Sequence, residues 1–122
     1  MKRRTKHVIR PVDVRTQPFS WGRITWLQSA AVSGAEELTF GEVIIEPGQR
    51  NDSHIHPNCE EVLYLVAGVL EHAIGDSELY TLDPGDSIWI PRGAKHWAKC
   101  VSPEPARMVV AYSSAEREVR GE

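Results

Sequence analysis

Cysteine is scarce in this chain, long apolar runs are missing, and the helical period is nearly absent. Two cysteines in 122 residues, Cys59 and Cys100, are too few for a disulfide framework, so a reducing, cytoplasmic setting is expected. No apolar stretch approaches the roughly 18 residues of a membrane span. No apolar segment follows the basic start MKRRTKHVIR, so a secretory signal is not expected either. Acid is missing from residues 1–10, which carry five basic groups, whereas residues 36–91 carry twelve acids and one base, Arg50. The acidic middle argues against a nucleic-acid surface and suits a site that attracts a cation. Five charges without an adjacent recognition module leave the N-terminus as a solvated or dimer-exchanged segment.

The length gives one domain. A chain of this size buries about two-thirds of its unfolded surface and can build a single core without disulfides. In place of helical periods there are short apolar runs, each ended by Gly, Pro or Asp: residues 23–28, 38–46, 61–67, 69–74, 78–82, 87–91, 96–101 and 107–113. Several short strands at this spacing predict an all-β sandwich or barrel. Gly68 separates two runs so tightly that a hairpin is expected there. Asp83-Pro84-Gly85-Asp86 reads as a turn, with Pro fixing φ and Gly accepting positive φ. Val8, Ile9, Val12 and Val14 suggest an edge strand, available to a partner subunit. The charged tail 113–122 has no period and is expected to fray or to form a short exposed helical turn.

Against this β background stand three histidines and a glutamate. His54 and His56 are one residue apart, so on a strand both imidazoles project to one face. Glu61 and His96 could complete a mixed nitrogen and oxygen set suited to a divalent transition metal. The spacing is Gly48, five residues, His54-Ile55-His56, four residues, Glu61, six residues, Gly68. After sixteen more come Gly85, five residues, Pro91, one residue, Gly93, two residues and His96. In these two motifs the chain resembles the cupin superfamily, in its small single-domain form. The resemblance covers about residues 40–101 closely and the rest in strand pattern only. One position departs from it: Cys100 stands where the second motif usually has Asn.

The resemblance implies a double-stranded β-helix, or jelly-roll barrel, with a core barrel at about 22–113, an N-terminal arm at 1–21 and a C-terminal tail at 114–122. It implies that His54, His56, Glu61 and His96 hold one divalent metal: Fe, Mn, Ni, Zn, Co or Cu. Two positions of an octahedron would stay open for water, substrate or dioxygen. Glu60 is the competing carboxylate, but the six-residue gap to Gly68 selects Glu61, and strand alternation turns Glu60 away.

Other residues are weighed against plainer roles. His72, sharing the inward face with Leu70, could be a catalytic acid or base, or a satisfied core histidine. Arg50, Arg92 and Lys95 could hold an anionic substrate, or be solvated loop charges. Tyr64, Trp89 and Trp97 could wall a pocket for a ring-shaped substrate, or be core. Cys100 shares the face of His96 and could line the cavity, or serve as a small buried hydrophobe. Cys59 reads as an incidental loop residue and His7 is given no role. Trp21 and Trp26 read as core or interface.

Two functions follow. The first is a metalloenzyme acting on a small organic molecule, by sugar or uronate isomerase or lyase chemistry, or by dioxygenase chemistry. The second is a non-catalytic barrel that binds or senses a small molecule such as a sugar. No nucleic acid or membrane partner is expected, and a homodimer is, because small jelly rolls leave apolar faces and edges.

Overall fold

The computed structural model describes residues 6–121; the first five residues of the basic terminus lie outside them. The described chain is almost entirely β. After a short 3-10 turn at Pro11–Asp13 come β1 (Arg15–Phe19), β2 (Gly22–Gln28), a single helical turn α1 (Ala30–Ser33), β3 (Thr39–Ile45), β4 (Arg50–Ile55), β5 (Glu61–Ala67), β6 (Leu70–Ile74), β7 (Glu78–Leu82), β8 (Ser87–Ile90), β9 (His96–Cys100), β10 (Ala106–Tyr112) and β11 (Arg120–Gly121). They form two sheets, β1-β2-β3-β10-β5-β8 and β11-β4-β9-β6-β7, and every pairing between them is antiparallel. This is the jelly-roll architecture that the motifs imply. Among the described residues no helix is long and apolar enough to cross a membrane.

Alternation decides what each strand buries. In β5, Glu61, Leu63 and Leu65 face inward while Val62, Tyr64 and Val66 face out; in β10, Ala106, Met108, Val110 and Tyr112 face inward. These residues meet Ile24, Val43, Ile45, Leu70, Leu82, Ala98 and Cys100 in one core between the sheets. Leu65 is fully buried at its centre. Its replacement by alanine removes several methyl groups from a packed interior. The expected loss is about 3 kcal/mol of stability, a fall in Tm of roughly 10 °C, measurable by calorimetry.

Three sequence expectations need correction. Gly68 does not close a hairpin. Both edges of β5 are already paired, with β10 and β8, while β6 pairs with β9 and β7, so the chain crosses from one sheet to the other at this point. Gly68 makes the corner at φ +83°, and a Cβ there would lie 2.8 Å from the Ala106 Cα. The backbone of Val69 bonds across to Val101 and Ser102 rather than back to β5. Second, the N-terminal edge strand is residues 15–19, not 8–14, and it pairs with β2 of its own chain. Third, the described part of the tail, residues 113–121, forms no helical turn and is tied to the barrel. Residues 113–121 run as a strap across the barrel mouth: Ala30 donates to the Ala115 carbonyl, the Asn58 side chain holds residues 116 and 118, and β11 pairs with β4.

Candidate metal centre

β4 carries the first two histidines to the mouth. Its pairing with β9 slips between Asn51 and His54, where Asn51 opposes Ala98 and His54 opposes His96. Such a bulge re-aims a side chain, and here it sets His54 directly against His96, with ring centroids 4.2 Å apart. His56 follows just past the end of β4. Glu61 opens β5 and His96 opens β9, so four chemistry-bearing residues stand at strand ends around one point.

The ring nitrogens of His54, His56 and His96 lie within 4.8 Å of one another. Glu61 Oε1 is 3.3 Å from His56 Nε2 and 3.7 Å from His96 Nε2. Each histidine has its other nitrogen engaged: His54 Nδ1 with the Asp52 carbonyl at 2.7 Å, His56 Nδ1 with the Glu118 carbonyl at 2.9 Å, and His96 Nδ1 with His72 Nε2 at 3.4 Å. A carbonyl can only accept, so the Nδ1 atoms of His54 and His56 carry protons. Their Nε2 atoms are then lone pairs aimed inward. The same tautomer at His96 makes Nδ1 the donor and His72 the acceptor. This is the outer-shell pattern that fixes metal-binding imidazoles.

What remains is a buried cluster of acceptors without donors. His56 Nε2, His96 Nε2 and Glu61 Oε1 are all buried and lack a hydrogen-bond partner. Neutral lone pairs facing a carboxylate repel unless a cation lies between them. The residues therefore fit a divalent metal, which the His54, His56 and His96 cluster would hold with Glu61 beside it. Burial lowers the His96 pKa to about 3 and that of His72 to about 4, and lowers that of His54. These imidazoles are thus neutral at ordinary pH, which leaves His54 and His96 able to bind a metal. Burial pushes the Glu61 carboxyl up, but the pull of His56 and of the other histidines in their protonated form outweighs it and leaves it below its usual value.

His72 is inward and buried, as expected, but its Nε2 is occupied by His96, and its ring stacks on that of His96 at 5.2 Å. It holds a ligand in place rather than facing the outside. Arg50 and Lys95 line an open cleft of about 890 Å³ that also reaches His54. There Arg50 stacks over Trp97 at 4.3 Å and pairs with Asp52 at 3.1 Å. Tyr64 and Trp89 lie elsewhere, on the outer sheet face, because Glu61 facing inward turns Val62 and Tyr64 outward and Trp89 pairs beside Val62. Trp89 donates to Glu60 at 2.6 Å, on that same outer surface. Arg92 is exposed in the turn before β9. Cys100 does share the His96 face, but four residues further along β9, inside the core, with its sulfur against the Glu104 carbonyl and the Ser102 hydroxyl. Cys59 is buried and its thiol is pushed up by that burial. Both cysteines are free.

The sequence reading missed Arg117. It sits on the strap, over the rings of Trp26 and Tyr112, and lines the small chamber that His54, Glu61, His72 and His96 also line. Its only sequence signal is a base amid an aperiodic tail. Asn51 and Tyr112, both lining the same chamber, also went unremarked.

Residues 41–112 match the model of the cupin domain. The chain belongs to the cupin family. Among curated relatives, it is 35% identical over 92 residues to the polyketide synthase CurC of Streptomyces cyaneus, an alignment covering 75% of this chain and 59% of CurC. It is 30% identical over 97 residues to the protein SchB of Streptomyces halstedii, covering 80% of this cupin and 70% of SchB. The oxalate oxidase GF-2.8 of Triticum aestivum is 31% identical over 100 residues, with 75% of this chain and 45% of that protein covered. Among solved structures, the oxalate decarboxylase of Lactobacillus farciminis superposes with a TM-score of 0.82 at 23% identity, over 90% of this chain and 34% of that one. This cupin thus spans only part of the length of these relatives, and the structural likeness is one of fold.

Proposed function

We propose that this cupin is a metalloenzyme whose substrate is a small organic molecule presenting two oxygens to one divalent transition metal. The observation that carries this reading is the convergence of three imidazoles and one carboxylate on one point, with His56, His96 and Glu61 buried and their inward atoms unbonded, and His54 half-buried at the rim. Four protein donors leave two positions of an octahedral ion, which suits a bidentate oxygen ligand. A bound metal would polarise those oxygens as a Lewis acid or, if redox-active, exchange electrons with the substrate.

The chain supplies the rest. Glu61 lowers the net charge of the ion it would hold. Asp52, Glu118 and His72 fix the three imidazoles through their Nδ1 atoms, so little reorganisation is needed on binding. The inward residues Leu63, Met108 and Val110 give the chamber an apolar wall beside the cluster. The cleft beside His54 offers the approach, with the stacked Phe19 and Trp21 rings on one wall.

The favoured substrate class is a 1,3-dicarbonyl compound of the polyketide type. Polyketides carry carbonyls on alternate carbons, and their enolates chelate through two oxygens; one relative is named for polyketide synthesis and another for oxalate, also an oxygen chelator. Sugars and uronates offer vicinal oxygen pairs and belong to the same wider class. Two buried free thiols suit a reducing, cytoplasmic setting.

The test is elemental analysis of protein purified without added metal or chelator, beside a His54→Ala, His56→Ala variant, followed by incubation with acetylacetone and oxygen-uptake and product analysis. The expected result is about one metal per chain, lost in the variant, with turnover that disappears alongside it. Metal without turnover of any dicarbonyl, but with tight ligand binding, would return the chain to the class of binding barrels. No metal even after reconstitution would overturn the reading altogether.

A further inference from the structure

Arg117 is a charge that the ligand set does not use. Its guanidinium carbon lies 4.8 Å from the Trp26 ring centre and 5.1 Å from that of Tyr112, so two aromatic rings fix its place. Its Nε is buried without a hydrogen-bond partner. Among the described residues Arg117 forms no ion pair. A buried unpaired donor on a charged group is destabilising by itself. The same side chain lines both the enclosed chamber beside His54 and Glu61 and the open cleft outside it. It therefore stands at the boundary that any substrate bound at the metal must meet.

The charge balance points the same way. A divalent ion with the single carboxylate Glu61 leaves one positive charge, and Arg117 adds another in the same chamber. Along the cleft Arg50 is paired with Asp52 at 3.1 Å and Lys95 with Asp76 at 3.8 Å, so the charge that favours an anion at the mouth is that of Arg117. A site of this sign draws anions inward.

We propose that Arg117 is the anion clamp of this site, holding a carboxylate or enolate oxygen of a substrate whose chelating oxygens are on the metal. This deepens the metalloenzyme reading and rests on it. The guanidinium fork matches a carboxylate with two parallel N–H donors, and its Nε–H is one of them. The substrate class narrows accordingly, to chelating anions such as 1,3-dicarbonyl acids, over neutral diols or ketones.

The experiment uses Zn(II)-loaded protein, which binds without redox turnover, and two probes with the same 1,3-oxygen pair. Malonate carries a further charged oxygen at each end; acetylacetone carries methyl groups there. Affinities are measured by calorimetry, with zinc content determined on each sample. Arg117→Gln is expected to weaken malonate at least 10-fold and acetylacetone less than 3-fold, with zinc unchanged at about one per chain. Arg117→Lys, which keeps the charge without the fork, is expected to recover part of the malonate binding. Equal weakening of both probes, or of neither, would overturn the clamp. If Arg117→Gln does not fold, Arg117→Lys decides alone: selective weakening of malonate supports the clamp and unchanged malonate binding overturns it. A wild type that takes up no zinc fails at the metal reading, and the clamp falls with it. A wild type that takes up zinc but binds both probes alike fails at the clamp only.

Discussion

Replacing His96 by alanine is expected to lower metal affinity by at least about 100-fold and to abolish turnover, whereas His72→Ala is expected to lower affinity only about 10- to 100-fold. The difference follows from what each ring does. His96 offers Nε2 to the centre, 3.7 Å from Glu61 Oε1. Without it the ion keeps two imidazoles and a carboxylate, and a third position fills with water. His72 offers nothing to the centre; it accepts from His96 Nδ1 at 3.4 Å and stacks flat on that ring. Its loss frees the His96 ring to turn and removes the group that fixes its tautomer. Competition with a fluorescent chelator measures both constants on one scale. A His72→Ala effect equal to that of His96→Ala would make His72 a ligand, and no effect would make it ordinary core.

The second large effect is acid lability of the metal-stripped protein. Burial holds His96 at a pKa of about 3 and His72 at about 4, with His54 also lowered. Unfolding returns each to about 6.5. Between these values the unfolded chain binds protons that the folded chain does not, so its free energy falls relative to the folded state as acid is added. Their contribution is fully present above about pH 6.5 and is lost as the pH falls through the window down to 4 and 3. The opposing carboxylate, Glu61, faces all of them and moderates the loss. The expected Tm is flat above neutrality and falls steeply below pH 6. A metal-stripped His72→Leu variant, which removes one such group without leaving a void of imidazole size, is expected to show a shallower fall. A fall of the same slope would show that His72 takes no part.

How much of this was legible follows from the physics of strands. His54 and His56 could be paired from the sequence because alternation fixes a face locally, whereas Glu61 and His96 joined them only through the motif spacing that resembles the cupins. The same alternation could have placed Tyr64, three residues from an inward Glu61, on the outside. It was obscured because both faces of EVLYLVA are apolar, so hydrophobicity alone does not mark the core side. Gly68 deceived for another reason: whether a turn closes a hairpin depends on which edges are already taken, here by β8 and β10, and those partners are distant in sequence. The strap was illegible because its order comes from side-chain and backbone bonds made by Asn58, His56 and Ala30, not from any periodicity of its own. Arg117 was lost with it.

The strap separates two lifetimes that are usually one. Among the described residues β11 meets β4 at Arg120–Ile55 and Gly121–His54, and most of residues 116–121 are exposed. Such a segment opens with far less free energy than the whole barrel. Each opening takes the Glu118 carbonyl away from His56 and carries Arg117 out of the mouth. The residence time of a bound ion, and of any anion beside it, is then set by this local opening, while the survival of the barrel is set by Leu65 and its neighbours. A chain lengthened or clipped at its C-terminus would exchange its metal at a different rate while melting at nearly the same temperature.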